Sequence, residues 1–544
     1  MKRFLMLLMI LFASVLTACE EDPEVVTHPE VVSAIDDLFG AVDQAFTLDE
    51  ETTLPNVVEG AIVTWTSDST YVDETGNVTL PTDEDEVITI AVSIKKGGAT
   101  QELDYTVTLI ASGDDPVVDG DYKIIPDQRV TDGALVISGG NSSSNLQDID
   151  DAFIGLGGGN DHIHILIVPT SSGGPTASAV NSMKNSYMGR YGLTEDQFSV
   201  LDVTTTTTHL ADDAAEVAKV EQATAIWFTG GDQYRVTSSL WREDGSASDV
   251  LAKIFEKWED GNIVIGGSSA GAAIMSRVMI GGGLSVGSLA YDHVASRFDY
   301  TGDKYTYGAL QVNNDGFGFF DAGVVDQHFD TRDRLGRLIE AAYVEGDKAI
   351  GFGVAENSAM IYDHTTKEIR VIGEVTIVDT RNATRTKTAT NLSRYENIRL
   401  SLLRGASTYN VATEEFTFLR ADGKPMEDIT DTPSYSDPFP TNITQFGGFY
   451  DSLYDFIAMK LLDNRKTDLY VGRGGMPYVS SFTIDDHEYY RELNDTTDRI
   501  IFEKRFFYED GRTEGWYDPA DRSYSFKDVV FDIIPLEDNL TEQQ

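Results

Sequence analysis

From residue 134 to residue 265 the chain repeats one pattern, a short run that is apolar at nearly every position followed by a longer amphipathic stretch. The runs are Ala134 to Ser138, Ile163 to Val168, Phe198 to Val203, Ala225 to Phe228 and Ile263 to Ile265. Between them lie Ala177 to Tyr191, Asp212 to Ala223 and Asp249 to Asp260. A strand with no polar face must be covered on both sides, so the pattern predicts a mostly parallel sheet between two helical layers, a three-layer α/β unit. Ligands on such sheets bind beyond the carboxyl ends of the strands, which is where chemistry-bearing residues have to be sought.

With 544 residues the chain exceeds what one core usually supports, and two or three folded units are expected. From Val31 to Ala111 the pattern differs. Ala61 to Trp65, Val87 to Val92 and Tyr105 to Leu109 read as short strands punctuated by Gly76-Asn77 and Gly97-Gly98. This predicts a small β-sandwich serving as a spacer or adhesive module. Ser112 to Gly120, with Gly113, Asp114, Asp115 and Pro116, reads as a linker. The last part is rich in aromatic and turn residues, with Asn397 to Leu402 and Val529 to Ile534 as strands of a β-rich C-terminal region.

At the N-terminus Lys2 and Arg3 precede an apolar stretch from Phe4 to Leu16, followed by Leu16-Thr17-Ala18-Cys19. The stretch is too short to span a bilayer and reads as a signal peptide, residues 1–18, whose end resembles a bacterial lipoprotein processing site. Cys19 is the only cysteine, so it is the expected lipidation site and no intrachain disulfide can form. Residues 19–30, opening with Glu20-Glu21-Asp22-Pro23, read as an anchor and tether. An ordinary secretory signal with an incidental cysteine is the alternative. The expectation is an exported lipoprotein at the outer membrane or cell surface, touching the membrane through its anchor alone. Asp and Glu number 90 against 41 Lys and Arg, a formal charge of −49 that would repel phosphates and excludes nucleic acid as a partner. A cationic substrate would be attracted, although a solvated surface explains most of this charge.

Three motifs fall at strand ends. Gly267-Ser268-Ser269-Ala270-Gly271 follows Ile263 to Ile265 and precedes a helix-forming run from Ala270 to Arg277. A hydroxyl on so tight a strand-to-helix turn is exposed beside a helix N-terminus, which suits a nucleophile, and the Ala270 amide is placed to bind an oxyanion. Asp326-Gln327-His328-Phe329 follows the apolar Val324-Val325, with Arg332, Arg334 and Arg337 close behind. His328 is the natural general base, because imidazole titrates nearest neutrality. Arginine forks suit carboxylates, so the cluster suggests recognition of acidic groups, while ion pairs with Asp330 and Asp333 are the plainer use for at least one of them. Thr229-Gly230-Gly231-Asp232-Gln233 closes the run Ala225 to Phe228, and Gln233 could hydrogen-bond a substrate backbone.

Taken in order, Gly139-Gly140, Phe228 to Gln233, Gly267 to Ala272 and Asp326 to Phe329 closely resemble the motifs of cyanophycinases, serine peptidases of family S51. The resemblance spans roughly Asp121 to Thr408 and extends to Gly353-Val354-Ala355-Glu356-Asn357-Ser358-Ala359. It implies a class I glutamine-amidotransferase-like α/β domain over 121–408, preceded by an immunoglobulin-like domain over 31–112 and followed by an accessory region over 409–544. It implies Ser269 as nucleophile, His328 as base, Gly140 beside Ala270 as oxyanion donors, and Gln233, Asp326, Gln327, Arg332, Arg334 and Arg337 as substrate-binding residues. Neither metal nor other cofactor is called for. The implied substrate is cyanophycin, a polyaspartate carrying arginine on each β-carboxyl, cleaved to β-aspartyl-arginine. Another aspartyl peptide, or a catalytically inactive surface binding protein, are the rival readings, and a homodimer stays open. The acidic triad member is expected between the serine and histidine motifs, yet Ile280 to Ser285 offers no carboxylate, leaving Asp292, Asp299 or another residue.

Overall fold

A computed structural model describes residues 122–140, 146–290, 309–344, 349–388, 392–429, 501–520 and 522–535, with shorter segments within 45–109, 293–294, 442–491 and 540–542. The signal peptide, Cys19, the tether, the linker, Asp292 and Asp299 lie outside the described residues. Among the described residues no helix is long and apolar enough to cross a membrane.

The chain divides into two compact units, Met1–Asp121 and Tyr122–Gln544. In the first, strands pair in the order Ala45–Leu48, Ala99–Leu109, Glu86–Lys96, Ala61–Thr66 and Val57–Val58, while Thr52–Thr53 pairs with Asn77–Val78. Side chains alternate along a strand, so Ile90, Val92 and Ile94 on one strand and Tyr105, Val107 and Leu109 on the next reach the same buried core as Val63 and Trp65.

In the second unit the apolar runs become five parallel strands. Their order across the sheet is Phe198–Val200, Ile165–Val168, Ala225–Phe228, Val264–Ser268 and Ala134–Ser138. Four antiparallel strands from Ala359 to Thr417 complete the nine. Alternate residues enter cores on opposite faces: Leu135, Ile137, Ile226, Phe228 and Ile265 on one side, Val136, Ile165, Ile167, Trp227 and Val264 on the other. The covering helices include Ser178–Tyr191, Ala214–Gln222 and Asp249–Asp260. The second starts at Ala214 rather than Asp212 because the Asp213 carboxylate accepts the Ala215 amide at 2.7 Å and caps the helix.

A second sheet of thirteen strands runs through Val324–Asp326, Ile350–Val354, Glu374–Asp379 and Ser393–Arg404, then continues into Ser523–Pro535 and Ile501–Phe507. The C-terminal strands therefore extend this sheet. Phe502, Phe506, Phe526 and Phe531 share a core with Leu400, Leu402, and Leu338 and Ile339 of the helix Leu335–Val344. Between Val354 and Ala359 the chain leaves the thirteen-stranded sheet and enters the nine-stranded one. That short connection is where the site below is completed.

Candidate active site

Ser269 lies between the strand Val264–Ser268 and a helix, Ala270–Ala273, that is shorter than the run to Arg277 expected from sequence. The helix stops because Ser276 turns back, its hydroxyl donating to the Val278 carbonyl at 2.8 Å and accepting the Val325 amide at 3.1 Å. The backbone at Ser269 has φ 53° and ψ −108°, a conformation that costs a non-glycine residue on the order of 1–3 kcal/mol and persists only when its surroundings enforce it. They do so through backbone-to-backbone packing. A Cβ on Gly271 would stand 2.2 Å from the Phe228 carbonyl oxygen, and one on Gly267 would stand 2.7 Å from the Gly271 carbonyl. The Ser269 amide also donates to Ser138 O at 3.1 Å, tying the turn to the neighbouring strand.

His328 follows the strand Val324–Asp326, and its amide donates to Gly139 O at 2.9 Å. The backbone there is again left-handed, φ 42°. This sets the imidazole with Nε2 2.8 Å from Ser269 Oγ. Nδ1 meets Glu356 Oε2 in a short contact. Glu356 lies in the connection between the two sheets, where Asn357 donates its amide to Gly140 O at 2.9 Å and the Glu356 amide donates to Asp330 Oδ1 at 2.7 Å. Gly140 fits because it lacks a side chain: a Cβ there would lie 2.4 Å from the His328 ring and 2.5 Å from Glu356 Oε2.

The carboxylate that meets the imidazole thus comes after the histidine, which corrects the expectation of an acid between the serine and histidine motifs. Its signal was present in the sequence. Glu356 follows an apolar run, at the same strand-end position that singled out Ser269 and His328.

Ala270, at the first position of its helix, is buried, and its amide has no acceptor within the helix, as for any first-turn residue. The remaining expected residues separate by what already holds them. Asp326, 1% exposed, accepts from the Gln327 amide at 2.9 Å and from Arg337 Nε at 2.8 Å. Arg337 also donates to Gly283 O at 2.9 Å. Arg334 donates to Gln327 Oε1 at 2.6 Å, and burial, reinforced by the Arg337 charge, disfavours its cation. Gln233 is buried, with Nε2 donating to Ile280 O at 2.9 Å and Gly281 O at 3.0 Å. Arg332 alone of the three arginines is exposed. Asp330, considered from sequence as an ion-pair partner for these arginines, instead binds the Glu356 amide. On the other side of Glu356 a cleft of about 750 Å³ opens, lined by Asp330, Glu356, Arg370, Glu374 and Arg404 among others.

Residues 134–370 match the family described as Peptidase family S51, and residues 30–112 match the atrophied bacterial Ig domain. A cyanophycinase from Geminocystis herdmanii is 30% identical over 294 residues, 53% of this chain and 97% of that protein. One from Synechococcus elongatus is 29% identical over 294 residues, covering 52% and 80% respectively. Among solved structures, a peptidase from an acI-B1 actinobacterium is similar at 22% identity and a TM-score of 0.31, covering 45% of this chain and 90% of that one.

Proposed function

The chain belongs to peptidase family S51 and is a serine-type peptidase, and on that premise we propose that it hydrolyses cyanophycin to β-aspartyl-arginine outside the cytoplasm through an acyl-enzyme on Ser269. The observation that carries this reading is the continuous line from Ser269 Oγ to His328 Nε2 at 2.8 Å, and from His328 Nδ1 to Glu356. His328 takes the hydroxyl proton on Nε2 as Oγ bonds to the scissile carbonyl carbon, and Glu356 stabilises the imidazolium and fixes the tautomer that leaves Nε2 free to accept. The charge that builds on the carbonyl oxygen meets the Ala270 amide at the helix start, with Gly140 as the second donor. His328 then gives its proton to the leaving amine, and water, deprotonated by His328 in its turn, hydrolyses the ester and restores the serine.

Cyanophycinase is the name carried by the relatives of comparable domain length, and the charge distribution supports that substrate. Arg332, the exposed arginine of the cluster, is positioned by the His328 carbonyl, which accepts its amide at 3.2 Å, and its guanidinium is the one available for a backbone carboxylate. Arg334, Arg337, Asp326 and Gln327 hold one another and shape the wall behind it. A missing acid would favour the inactive-binder alternative, and Glu356 stands where that acid is needed. Export with a lipid on Cys19 belongs to the same proposal and rests on the apolar stretch before the cysteine. Clearing of cyanophycin plates by the wild type and not by Ser269→Ala is the expected result. Equal clearing by both would end the acyl-enzyme reading.

A further inference from the structure

We propose that Asp330 is a positioning residue for the reaction: by holding the main-chain amide of Glu356 it sets how Glu356 meets His328. The inference rests on the peptidase reading above and adds to it a residue that acts only through the acid.

Asp330 stands two positions after His328, and its Oδ1 accepts the Glu356 amide at 2.7 Å. A single side chain therefore bridges the turn that carries the base and the turn that carries the acid, which the sequence separates by 28 positions. Neighbouring bonds hold the residues around Glu356. Phe329 N donates to Val354 O at 3.1 Å, Asn357 N to Gly140 O at 2.9 Å, and Ser358 Oγ to the Glu356 carbonyl at 3.0 Å. The amide of Glu356 itself goes to Asp330, the side-chain acceptor within reach of it at 2.7 Å.

The surroundings make such a bond necessary. Glu356 and Asp330 both line the 750 Å³ cleft, and the Glu356 side chain keeps 18% of its surface exposed. Packing fixes a side chain only where atoms crowd it from every direction, and on the cleft side water takes their place. The connection is a tight turn, with Asn357 in the left-handed region at φ 53°, and the Glu356 amide is one of the few groups that tie it to the turn carrying His328. The two buried arginines that follow Asp330 in the sequence, Arg334 and Arg337, turn instead to Gln327 and Asp326.

The test uses the full-length protein and two rates, phosphonylation of Ser269 by a fluorophosphonate, with loss of fluoride, and dipeptide release from cyanophycin, with thermal unfolding as control. Asp330→Ala is expected to slow both rates about 10- to 100-fold, the scale on which misplacement of about 1 Å acts, with KM unchanged and folding intact. Asp330→Asn keeps an acceptor oxygen and is expected to restore at least about a third of the wild-type rate. In a Glu356→Ala background, Asp330→Ala is expected to add no further loss, because its partner is gone. A wild-type rate for Asp330→Ala, an Asp330→Asn variant as slow as Asp330→Ala, an additive loss in the Glu356→Ala background, or an Asp330→Ala chain that does not fold would each overturn the positioning role alone. A wild-type protein that is neither phosphonylated at Ser269 nor able to release dipeptide would overturn the peptidase reading, and this inference with it.

Discussion

Gly271→Ala perturbs the nucleophile turn without touching any reacting group, and its effect can be worked from the backbone. The added Cβ would stand 2.2 Å from Phe228 O, 2.9 Å from Phe228 C and 3.0 Å from Phe228 Cβ. Ordinary carbon-to-oxygen contact lies at about 3.3–3.6 Å, so from 2.2 Å the helix start and the strand end must separate by just over about 1 Å. Phe228 is the last residue of a central parallel strand and is fully buried, so it cannot yield as a flexible side chain would. Overpacking of this kind costs about 1–3 kcal/mol, and in the unit Tyr122–Gln544 each kcal/mol lowers the melting temperature by only about 1 °C. The same displacement reaches Ser269, two positions earlier, and a shift of about 1 Å in a nucleophile costs about 10²-fold in rate. Differential scanning calorimetry and the rate of cyanophycin clearing together measure both effects. A Gly271→Ala protein with wild-type melting and wild-type turnover would show that the glycine is not there for close approach, and would refute the packing account of the motif.

Glu356→Gln is expected to lower kcat by about 10²- to 10⁴-fold with little change in melting, because the amide can favour the imidazole tautomer that no longer accepts from Ser269; retention of most of the rate would displace Glu356 as the acid. Asp150 is buried, accepts from Tyr187 at 2.7 Å, and burial pushes its carboxyl up to about 7 against a usual 3.8. The folded state then holds the proton longer than the unfolded one, so this contribution is full below about pH 4 and is lost as pH rises toward 7, on the order of 4 kcal/mol in all. Asp150→Asn should flatten that slope in urea titrations across pH 4 to 7, and an unchanged slope would count against the burial assignment. Cys19→Ser should abolish palmitate labelling and release the protein from membranes, and continued labelling would remove the lipid-anchor proposal.

The sheet was legible because its strands are covered on both faces. That condition forces continuous apolar runs, and Ala134–Ser138 and Ala225–Phe228 begin and end where the runs do. Boundaries set by polar side chains were less visible. Nothing in composition distinguishes Asp212 from Asp213 as a cap, since the choice depends on which carboxylate can reach back to an amide. The C-terminal strands were seen as strands but not as members of the thirteen-stranded sheet, because pairing such as Leu400 with Val529 joins positions whose separation carries no local signal. Ser269 and His328 were found by one rule, polar residues at the carboxyl ends of apolar strands, and the structure brings them within hydrogen-bond reach.

The acid shows why that rule has to be applied to every strand rather than to the interval between two motifs. The serine ends a strand of the nine-stranded sheet, the histidine ends one of the thirteen-stranded sheet, and Glu356 sits where the chain passes from the second to the first. A residue in that connection is within reach of both, whatever its place in the sequence. The left-handed backbone at Ser269, His328 and Asn357 follows from the same requirement, since three turns must converge on one imidazole while each remains attached to a fixed strand. Strain of about 1–3 kcal/mol at each is tolerated because the flanking strands are buried and paired throughout. Any substitution that loosens those strands should therefore reach catalysis before it reaches global unfolding.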